Sequence, residues 1–161
     1  MKSLITAVLF FIAFNAQAIT NRAPEFKLED QFSKEHSSKK FEGKNVVYII
    51  TDRAGADYVE NWTKSLSPFK SKVDFVAVAN VKGVPGLLKG FIRGKFREVY
   101  SYSVLMDWEA KLWEYYGCKD GVPTVVFVDN SGTVRFKTSG KGTESEVKKV
   151  SDELLKSVSV Q

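Results

Sequence analysis

The sequence predicts an α/β domain in which helices flank a central mixed β-sheet. Short, continuous apolar runs, typical of buried strands, alternate with segments whose apolar residues recur every three or four positions, typical of amphipathic helices. A turn signal, Asp-Asn-Ser-Gly at residues 129–132, separates the last two apolar runs and predicts that they form a hairpin.

The first half of the chain predicts a polar arm, two strands and a helix. Residues 25–44 are polar with isolated apolar positions, which indicates a short hairpin or an extended arm. Residues 45–50 and 73–79 are the apolar runs of two buried strands. A helix lies between them and ends at Pro68. Its apolar stripe is formed by Val59, Trp62, Leu66 and Phe69.

The second half predicts two helices and the hairpin. A helix N-capped by Asp107 precedes strands at residues 123–129 and 133–138. The last helix begins with a capping box formed by Thr143 and Glu146. The apolar stripes of these two helices are Trp108, Leu112 and Tyr116, and Val147, Val150, Leu154 and Val158.

Residues 1–18 have the parts of a secretory signal peptide. Lys2 supplies the charged start, residues 4–14 form an apolar core, and Ala16-Gln17-Ala18 matches the small-residue cleavage signal. A membrane anchor is disfavoured because spanning a bilayer takes about 20 apolar residues. We therefore expect an exported protein with one domain at residues 19–161, in the bacterial periplasm or secreted.

The composition excludes several kinds of site. Cys118 is the only cysteine and His36 the only histidine, so no intrachain disulfide and no structural zinc site of the usual kinds can form. The formal net charge of +5 is too weak on its own to indicate a nucleic-acid partner. No motif for a cofactor or a metal is identified. We expect His36, in the polar arm, to lie at the surface.

Several segments together resemble the redoxin branch of the thioredoxin-like superfamily, which includes envelope thiol-disulfide proteins and peroxiredoxins. They are LEDQF followed by FEGKNVVYII, YYGCKDGVPTVVFVDNSGTV, and the closing helix. The resemblance covers nearly all of residues 19–161 and implies a thioredoxin-like fold. Its most specific part is Gly121-Val122-Pro123-Thr124. In the family the matching proline has a cis peptide bond and faces the active-site cysteines, which implies a cis Val122–Pro123 bond here.

The same resemblance places the reactive thiol pair at the start of the first helix, where this chain has none. Ala54 and Asp57 occupy the two cysteine positions, with Gly55 and Ala56 between them. The peroxiredoxin pattern, a threonine three residues before the reactive cysteine, also ends on Ala54, since Thr51 precedes it. Thiol-disulfide exchange needs an attacking thiolate, so this active site is degenerate.

Two charged residues flank the degenerate site. Asp57 in the first helical turn stabilises the helix by about 0.3–1 kcal/mol, and this role is preferred to acid-base chemistry. Arg53 is either solvated or paired with Asp52 or Asp57. The alternative is an anion-binding groove formed by Arg53 and free N–H groups against Val122, Pro123 and Thr124.

Cys118 is the remaining thiol. It follows a helix C-terminus, where the helix dipole does not favour a thiolate, although Lys119 opposes this effect. A packed thiol is favoured over a catalytic one, because no second cysteine can resolve an oxidised form.

The stretch from Val81 to Tyr100 is rich in basic residues and glycines. Its cations are Lys82, Lys89, Arg93, Lys95 and Arg97, and Glu98 is its only acid. We expect a helix docked through Leu87, Leu88, Phe91, Ile92 and Phe96, with a solvated basic face opposite. Two alternatives stay open: a basic surface for an anionic partner or lipid headgroups, and a mobile loop in which glycine disfavours the helix.

Two functions follow from the sequence. The first is an exported thioredoxin-fold protein without thiol catalysis, which binds an envelope protein, a peptide or a small ligand in the groove beside the proline. The second is a redoxin-type oxidoreductase that uses Cys118 for thiol-disulfide or peroxide chemistry. Exposure of Cys118 near the groove would favour the second.

Overall fold

Seven strands are present in the computed structural model, which describes residues 21–158. The predicted signal peptide lies outside the described residues. The strands are β1 (Lys27–Glu29), β2 (Glu35–Ser37), β3 (Val46–Thr51), β4 (Asp74–Asn80), β5 (Val104–Asp107), β6 (Thr124–Val128) and β7 (Val134–Ser139).

Four α-helices connect or follow these strands. They are α1 (Val59–Ser65), α2 (Lys89–Val99), α3 (Lys111–Tyr115) and α4 (Glu144–Val158). Within residues 21–158, no helix combines the length and the apolar character that crossing a membrane requires.

The central sheet is mixed, as predicted. Its strand order is β5-β4-β3-β6-β7. β3 pairs in parallel with β4 and antiparallel with β6, and β4 pairs in parallel with β5. The predicted hairpin is confirmed, because β6 and β7 pair antiparallel across the 129–132 turn. β3 is buried along almost its whole length because both of its neighbours and both faces of the sheet are covered.

Alternate residues of β3 enter cores on opposite faces of the sheet. Val46, Tyr48 and Ile50 face the side covered by the arm and α3, whereas Val47 and Ile49 face α1 and α4. The predicted helix stripes are confirmed on this second face. They contribute Val59, Trp62, Leu66 and Phe69 from the α1 region, and Val147, Val150, Leu154 and Val158 from α4.

Side-chain caps fix the ends of two helices. The Glu146 carboxylate accepts the Thr143 N–H at 2.9 Å and the Thr143 hydroxyl accepts the Glu146 N–H at 3.4 Å, so the predicted capping box is confirmed. The Asp107 carboxylate accepts the N–H groups of Lys111, Leu112 and Trp113 at 2.8–3.1 Å. The Asp107 carboxylate therefore satisfies the first N–H groups of α3, but the prediction of Asp107 as the N-cap residue is wrong, because Asp107 ends β5 and Ala110 is the N-cap.

β5 is absent from the sequence-based prediction, in which a helix begins at Asp107 and residues 104–106 belong to no element. The strand has only four residues, and its apolar run leads directly into the helical pattern. The predicted helix face is also shortened, because Trp108 packs in a separate cluster with Ile92 and Phe96 of α2.

The polar arm is the predicted hairpin, formed by β1 and β2, and it lies against the β5 edge of the sheet. An isolated bridge joins Asp30 to Leu105. The fully buried Gln31 amide donates to the carbonyl oxygens of Tyr100 and Tyr102 at 3.2 and 2.7 Å, and its oxygen accepts the Val104 N–H at 2.8 Å. The arm therefore covers the edge strand, which would otherwise expose unpaired backbone groups.

The expectation that His36 lies at the surface is wrong. His36 is buried, and its Nε2 lies 2.8 Å from Oδ2 of the equally buried Asp30. The hairpin turns every second residue toward the body of the protein, and His36 occupies an inward position opposite Leu28. The polar composition of the arm concealed this alternation.

The buried Asp30 carboxylate holds the arm together. Burial raises the pKa of Asp30, but hydrogen bonds outweigh it and hold the pKa below its ordinary value. The donors are the Ser103 hydroxyl, the His36 ring, and the backbone N–H groups of Lys34 and Phe32.

Replacement of Asp30 by Asn should destabilise the fold in a pH-dependent way. A lowered carboxyl pKa contributes stability above the ordinary aspartate pKa of about 3.9, and this stability is lost as the pH falls through the lowered value. We expect Asp30→Asn to cost about 1–3 kcal/mol at neutral pH, with the difference shrinking below about pH 4. Urea unfolding of both forms at several pH values measures it.

Asp74→Asn is the matched control, because Asp74 forms an exposed pair with Lys44 at 3.2 Å. Such pairs contribute about 0–1 kcal/mol, so this variant should follow the wild-type curve closely. A stability difference between wild type and Asp30→Asn that is the same at every pH would show that the charged carboxylate is not what holds the arm.

Candidate functional site

The turn between β3 and α1 occupies the position of the degenerate thiol site. β3 ends at Thr51, and a short 3₁₀ helix, Ala56–Tyr58, leads into α1. Arg53, Ala54 and Asp57 are exposed, whereas Gly55 is buried. The two positions that the resemblance assigns to thiols, Ala54 and Asp57, therefore lie at the protein surface.

The Asp52 carboxylate joins this turn to the loop before β6. Its Oδ1 accepts the Gly55 N–H at 2.8 Å, and its Oδ2 accepts the Gly121 N–H at 3.0 Å. The sequence analysis treated Asp52 only as a possible partner of Arg53 and missed this role. The available signal was an aspartate at a strand end, where its side chain commonly accepts backbone N–H groups of the following turn.

Gly55 packs directly against the backbone of Val122. A Cβ at Gly55 would lie 2.9 Å from both the N and the C atoms of Val122, and 2.6 Å from Thr51 Oγ1. Real Cβ atoms do not come this close to a backbone, so only glycine fits here. The turn at residues 53–57 and the loop at residues 121–123 therefore face each other, as the resemblance implies.

The cis peptide bond implied for Val122–Pro123 is wrong. No peptide bond within residues 21–158 is cis, and Val122–Pro123 is trans, the ordinary state of an X–Pro bond. Gly121 instead provides the turn, since its φ of 77° lies in the left-handed region that favours glycine.

The predicted groove residues divide between surface and core. Thr124 is buried, and its hydroxyl hydrogen-bonds the Ser139 hydroxyl at 2.8 Å. Pro123 is also buried, and its carbonyl oxygen accepts the Gly140 N–H at 3.0 Å. Arg53 is exposed and Val122 half-buried, so these two can contact a ligand directly. Within the described residues, Arg53 forms none of the ion pairs considered for it.

The backbone N–H and C=O groups of Val122 are available to a ligand. Among residues 21–158, the N–H and C=O groups of Val122 make no hydrogen bond to the protein, while Asp52 occupies the preceding N–H. Backbone polar groups are strong hydrogen-bonding groups that favour a partner. The loop therefore presents one donor and one acceptor beside the exposed Ala54 turn.

Cys118 is a packed thiol. It is half-buried against the core on the arm side of the sheet. Burial raises the pKa of Cys118 to about 11, although the Thr124 hydroxyl and the Lys137 ammonium act in the opposite direction. At neutral pH roughly one molecule in ten thousand would carry the thiolate. The Cys118 thiol lies near Thr124, the first residue of β6. Its high pKa keeps it in the protonated, unreactive state at neutral pH.

The basic stretch is a docked helix with its faces arranged differently from the prediction. Ile92 and Phe96 pack against the sheet, as predicted, but Leu87, Leu88 and Phe91 are exposed. The arm also contacts α2, and it binds Arg93 and Arg97 of this helix.

Two of the five predicted surface cations hold this arm. Arg93 pairs with Glu29 and the Ser33 hydroxyl, and Arg97 donates to the Gln31 carbonyl oxygen at 2.8 Å. The predicted solvated basic face is therefore wrong for Arg93 and Arg97. Lys82, Lys89 and Lys95 remain exposed.

No metal site emerges from the described part of the chain. Residues 21–158 contain no group of three or more His, Cys, Asp or Glu side chains arranged to hold an ion.

Known proteins resemble this chain in fold. No protein-family model matches it, and no curated protein matches it in sequence. A pneumococcal exposed lipoprotein thioredoxin from Streptococcus pneumoniae superposes with a TM-score of 0.63 at 16% identity, covering 80% of this chain and 97% of its own. A secreted Mycobacterium tuberculosis disulfide oxidoreductase has a TM-score of 0.58 at 14% identity, covering 81% and 95%.

A third solved structure of similar fold is a thiol peroxidase. A thiol peroxidase from Chromobacterium violaceum has a TM-score of 0.55 at 10% identity, covering 85% of this chain and 86% of its own. The predicted fold is therefore confirmed: the chain has a thioredoxin-like fold, and it contains one cysteine.

Gly55→Ala should destabilise the protein, because its methyl group would collide with the Val122 backbone. Overpacking of this kind typically costs about 1–3 kcal/mol. Gly90→Ala is the matched control, since a Cβ there meets nothing within 4 Å and Gly90 lies inside α2. Alanine should stabilise that helix by up to about 1 kcal/mol.

Urea unfolding of the two variants measures the contrast. The expected midpoints move in opposite directions, downward for Gly55→Ala and upward for Gly90→Ala. Equal effects of the two substitutions would show that the turn and the loop do not touch.

Proposed function

We propose that this protein is an exported, non-catalytic binding module of the bacterial envelope, which holds an extended segment of another protein beside the Ala54 turn. The observation that carries the proposal is the occupancy of the two thiol positions. Ala54 and Asp57 stand there, while Asp52 and Gly55 keep the surrounding loops in contact.

The chemistry of the side chains supports a non-catalytic role. An alanine methyl group cannot attack a disulfide or a peroxide, and exchange requires a thiolate at the attacking position. Cys118 does not replace it, because burial raises its pKa to about 11 and no second cysteine is present to resolve an oxidised form.

The surface supports recognition of an extended chain. The Val122 N–H and C=O groups have no hydrogen-bond partner in the described protein, and extended peptides commonly bind through main-chain hydrogen bonds of this type. Arg53 and Asp57 stand at the same turn with opposite charges, so they would select the side chains of the bound segment.

Two observations support a location outside the cytoplasm. Residues 1–18 have the composition of a secretory signal peptide. Structural neighbours include an exposed lipoprotein and a secreted oxidoreductase. We assign the periplasm as the compartment, because the predicted leader is short and no cysteine stands directly after Ala18, where a lipid could be attached.

Photo-crosslinking in living cells tests the binding role. A photo-reactive residue at Arg53, which is exposed beside the groove, should form discrete adducts with an envelope protein. The same residue placed at the exposed Lys156 of α4 is the matched control and should form none. Adding Ala54→Trp, which places a large side chain at an exposed position of the same turn, should abolish the adducts at position 53.

Two outcomes would contradict the proposed binding role. Adducts that form alike from positions 53 and 156, or that persist with Ala54→Trp, would show that the groove does not select a partner. Circular dichroism of each variant confirms that the comparison is made between folded proteins.

A further inference from the structure

Large apolar side chains are exposed along one segment of the surface. Residues 21–158 contain eight exposed large hydrophobic side chains, and five of them lie between positions 87 and 102. Leu87 is 98% exposed, Phe91 61% and Leu88 48%. These three form the first turn of α2 and the 3₁₀ turn before it, which we name the apolar tip. Contiguous exposed apolar residues of this kind mark interaction sites.

The apolar tip projects from the body of the protein. A Cβ added at Gly83, Gly86 or Gly90 would meet no atom within 4 Å. Leu87 and Phe91 are four residues apart and so share the outer face of the helix, while Ile92 and Phe96 hold its inner face against the sheet. The side chains of the apolar tip can therefore enter an apolar environment outside the protein without any change in the core.

Lysines surround the apolar tip. Lys95 lies one helical turn beyond Phe91, with its ammonium 5.7 Å from the Phe91 ring centroid, and Lys89 lies 5.1 Å from the Trp108 ring. Lys82 and Lys95 pair with Glu114 and Glu98 in contacts that are largely exposed. Exposed pairs are weak, so their ammonium groups remain available to a stronger anion.

We propose that the apolar tip docks the protein on an anionic lipid surface, with Leu87, Leu88 and Phe91 entering the acyl boundary and Lys82, Lys89 and Lys95 binding headgroup phosphates. Charge complementarity identifies the occupant, since three of the five cations in residues 81–100, Lys82, Lys89 and Lys95, are exposed lysines that the arm does not bind. An apolar helix face with lysines at its edge is the composition of interfacial helices, whose apolar side sinks about 5–10 Å into the boundary.

The composition of the apolar tip favours a lipid surface over a groove on another protein as its binding partner. Between Gly86 and Phe91, the only polar side chain is that of Lys89. Lysine is a flexible point charge that binds phosphate in many orientations, whereas recognition by a protein usually adds directional hydrogen bonds. The arginines, which would give such directional contacts, bind the arm instead.

Vesicle co-sedimentation tests this docking. The exported protein, purified in the form that cells accumulate, is mixed with phosphatidylcholine vesicles with and without phosphatidylglycerol, at low and at high ionic strength. We expect binding to the anionic vesicles only, and weaker binding at high ionic strength, because salt screens exposed charges.

Two double variants separate the contributions of the apolar and basic side chains. Leu87→Gln with Phe91→Gln should weaken binding by at least about tenfold, because only Leu88 of the three apolar side chains then enters the bilayer. Lys89→Gln with Lys95→Gln should weaken it by about 25-fold, from roughly fivefold for each lysine. All four side chains are exposed, so the fold is preserved.

A control variant on α4 and a measurement of membrane insertion accompany these two variants. Lys148→Gln with Leu155→Gln makes the same kinds of change on α4 and should bind like wild type. In Leu87→Trp, brominated lipids should quench the new tryptophan, which simple surface adsorption would not cause. The proposal is overturned if wild type ignores anionic vesicles, if all variants bind alike, or if the Leu87→Trp emission is unchanged by brominated lipid.

Discussion

The arrangement of the site depends on one carboxylate. Asp52 accepts the N–H groups of Gly55 and Gly121, which lie far apart in sequence, and thereby ties the start of the first helix to the loop before β6. A buried N–H without an acceptor would cost about 1–3 kcal/mol, so this link is more than incidental. It requires no thiol. The turn at residues 53–57 and the loop at residues 121–123 are therefore held together with alanine and aspartate at the two positions that the resemblance assigns to thiols.

The sequence predicted the features that local patterns determine. The buried strands, the stripes that contain Trp62 and Leu154, and the Thr143–Glu146 capping box are confirmed because spacing and side-chain chemistry specify them locally. The features that failed depend on distant segments. His36 is buried because the arm folds onto β5, a strand too short to be recognised, and the exposed face of α2 is set by the arm's contacts with Arg93 and Arg97. The role of Asp52 likewise depends on a distant segment, since one of its two hydrogen-bond partners lies 69 residues away in the sequence.

The two proposed surfaces share one end of the sheet. β3 and β4 are parallel neighbours, so the segments that follow them, the Ala54 turn and the stretch leading to the apolar tip, leave the sheet at the same end. Docking of the apolar tip on a lipid surface would thus hold the groove close to the membrane. The favoured partner under this arrangement is an envelope protein with an extended segment near the bilayer. The arm supports the apolar tip, because it binds Arg93 and Arg97 of α2.

The central claim is that a thioredoxin-like fold is retained here without thiol catalysis. Turnover of insulin disulfides and of hydrogen peroxide by the purified protein tests it most directly, with Cys118→Ser as the companion variant. We expect rates equal to those without protein for both forms, because the two positions that the resemblance assigns to thiols carry no sulfur and burial raises the pKa of Cys118 to about 11. Robust turnover by the wild type that disappears in Cys118→Ser would contradict it and identify Cys118 as a catalytic nucleophile.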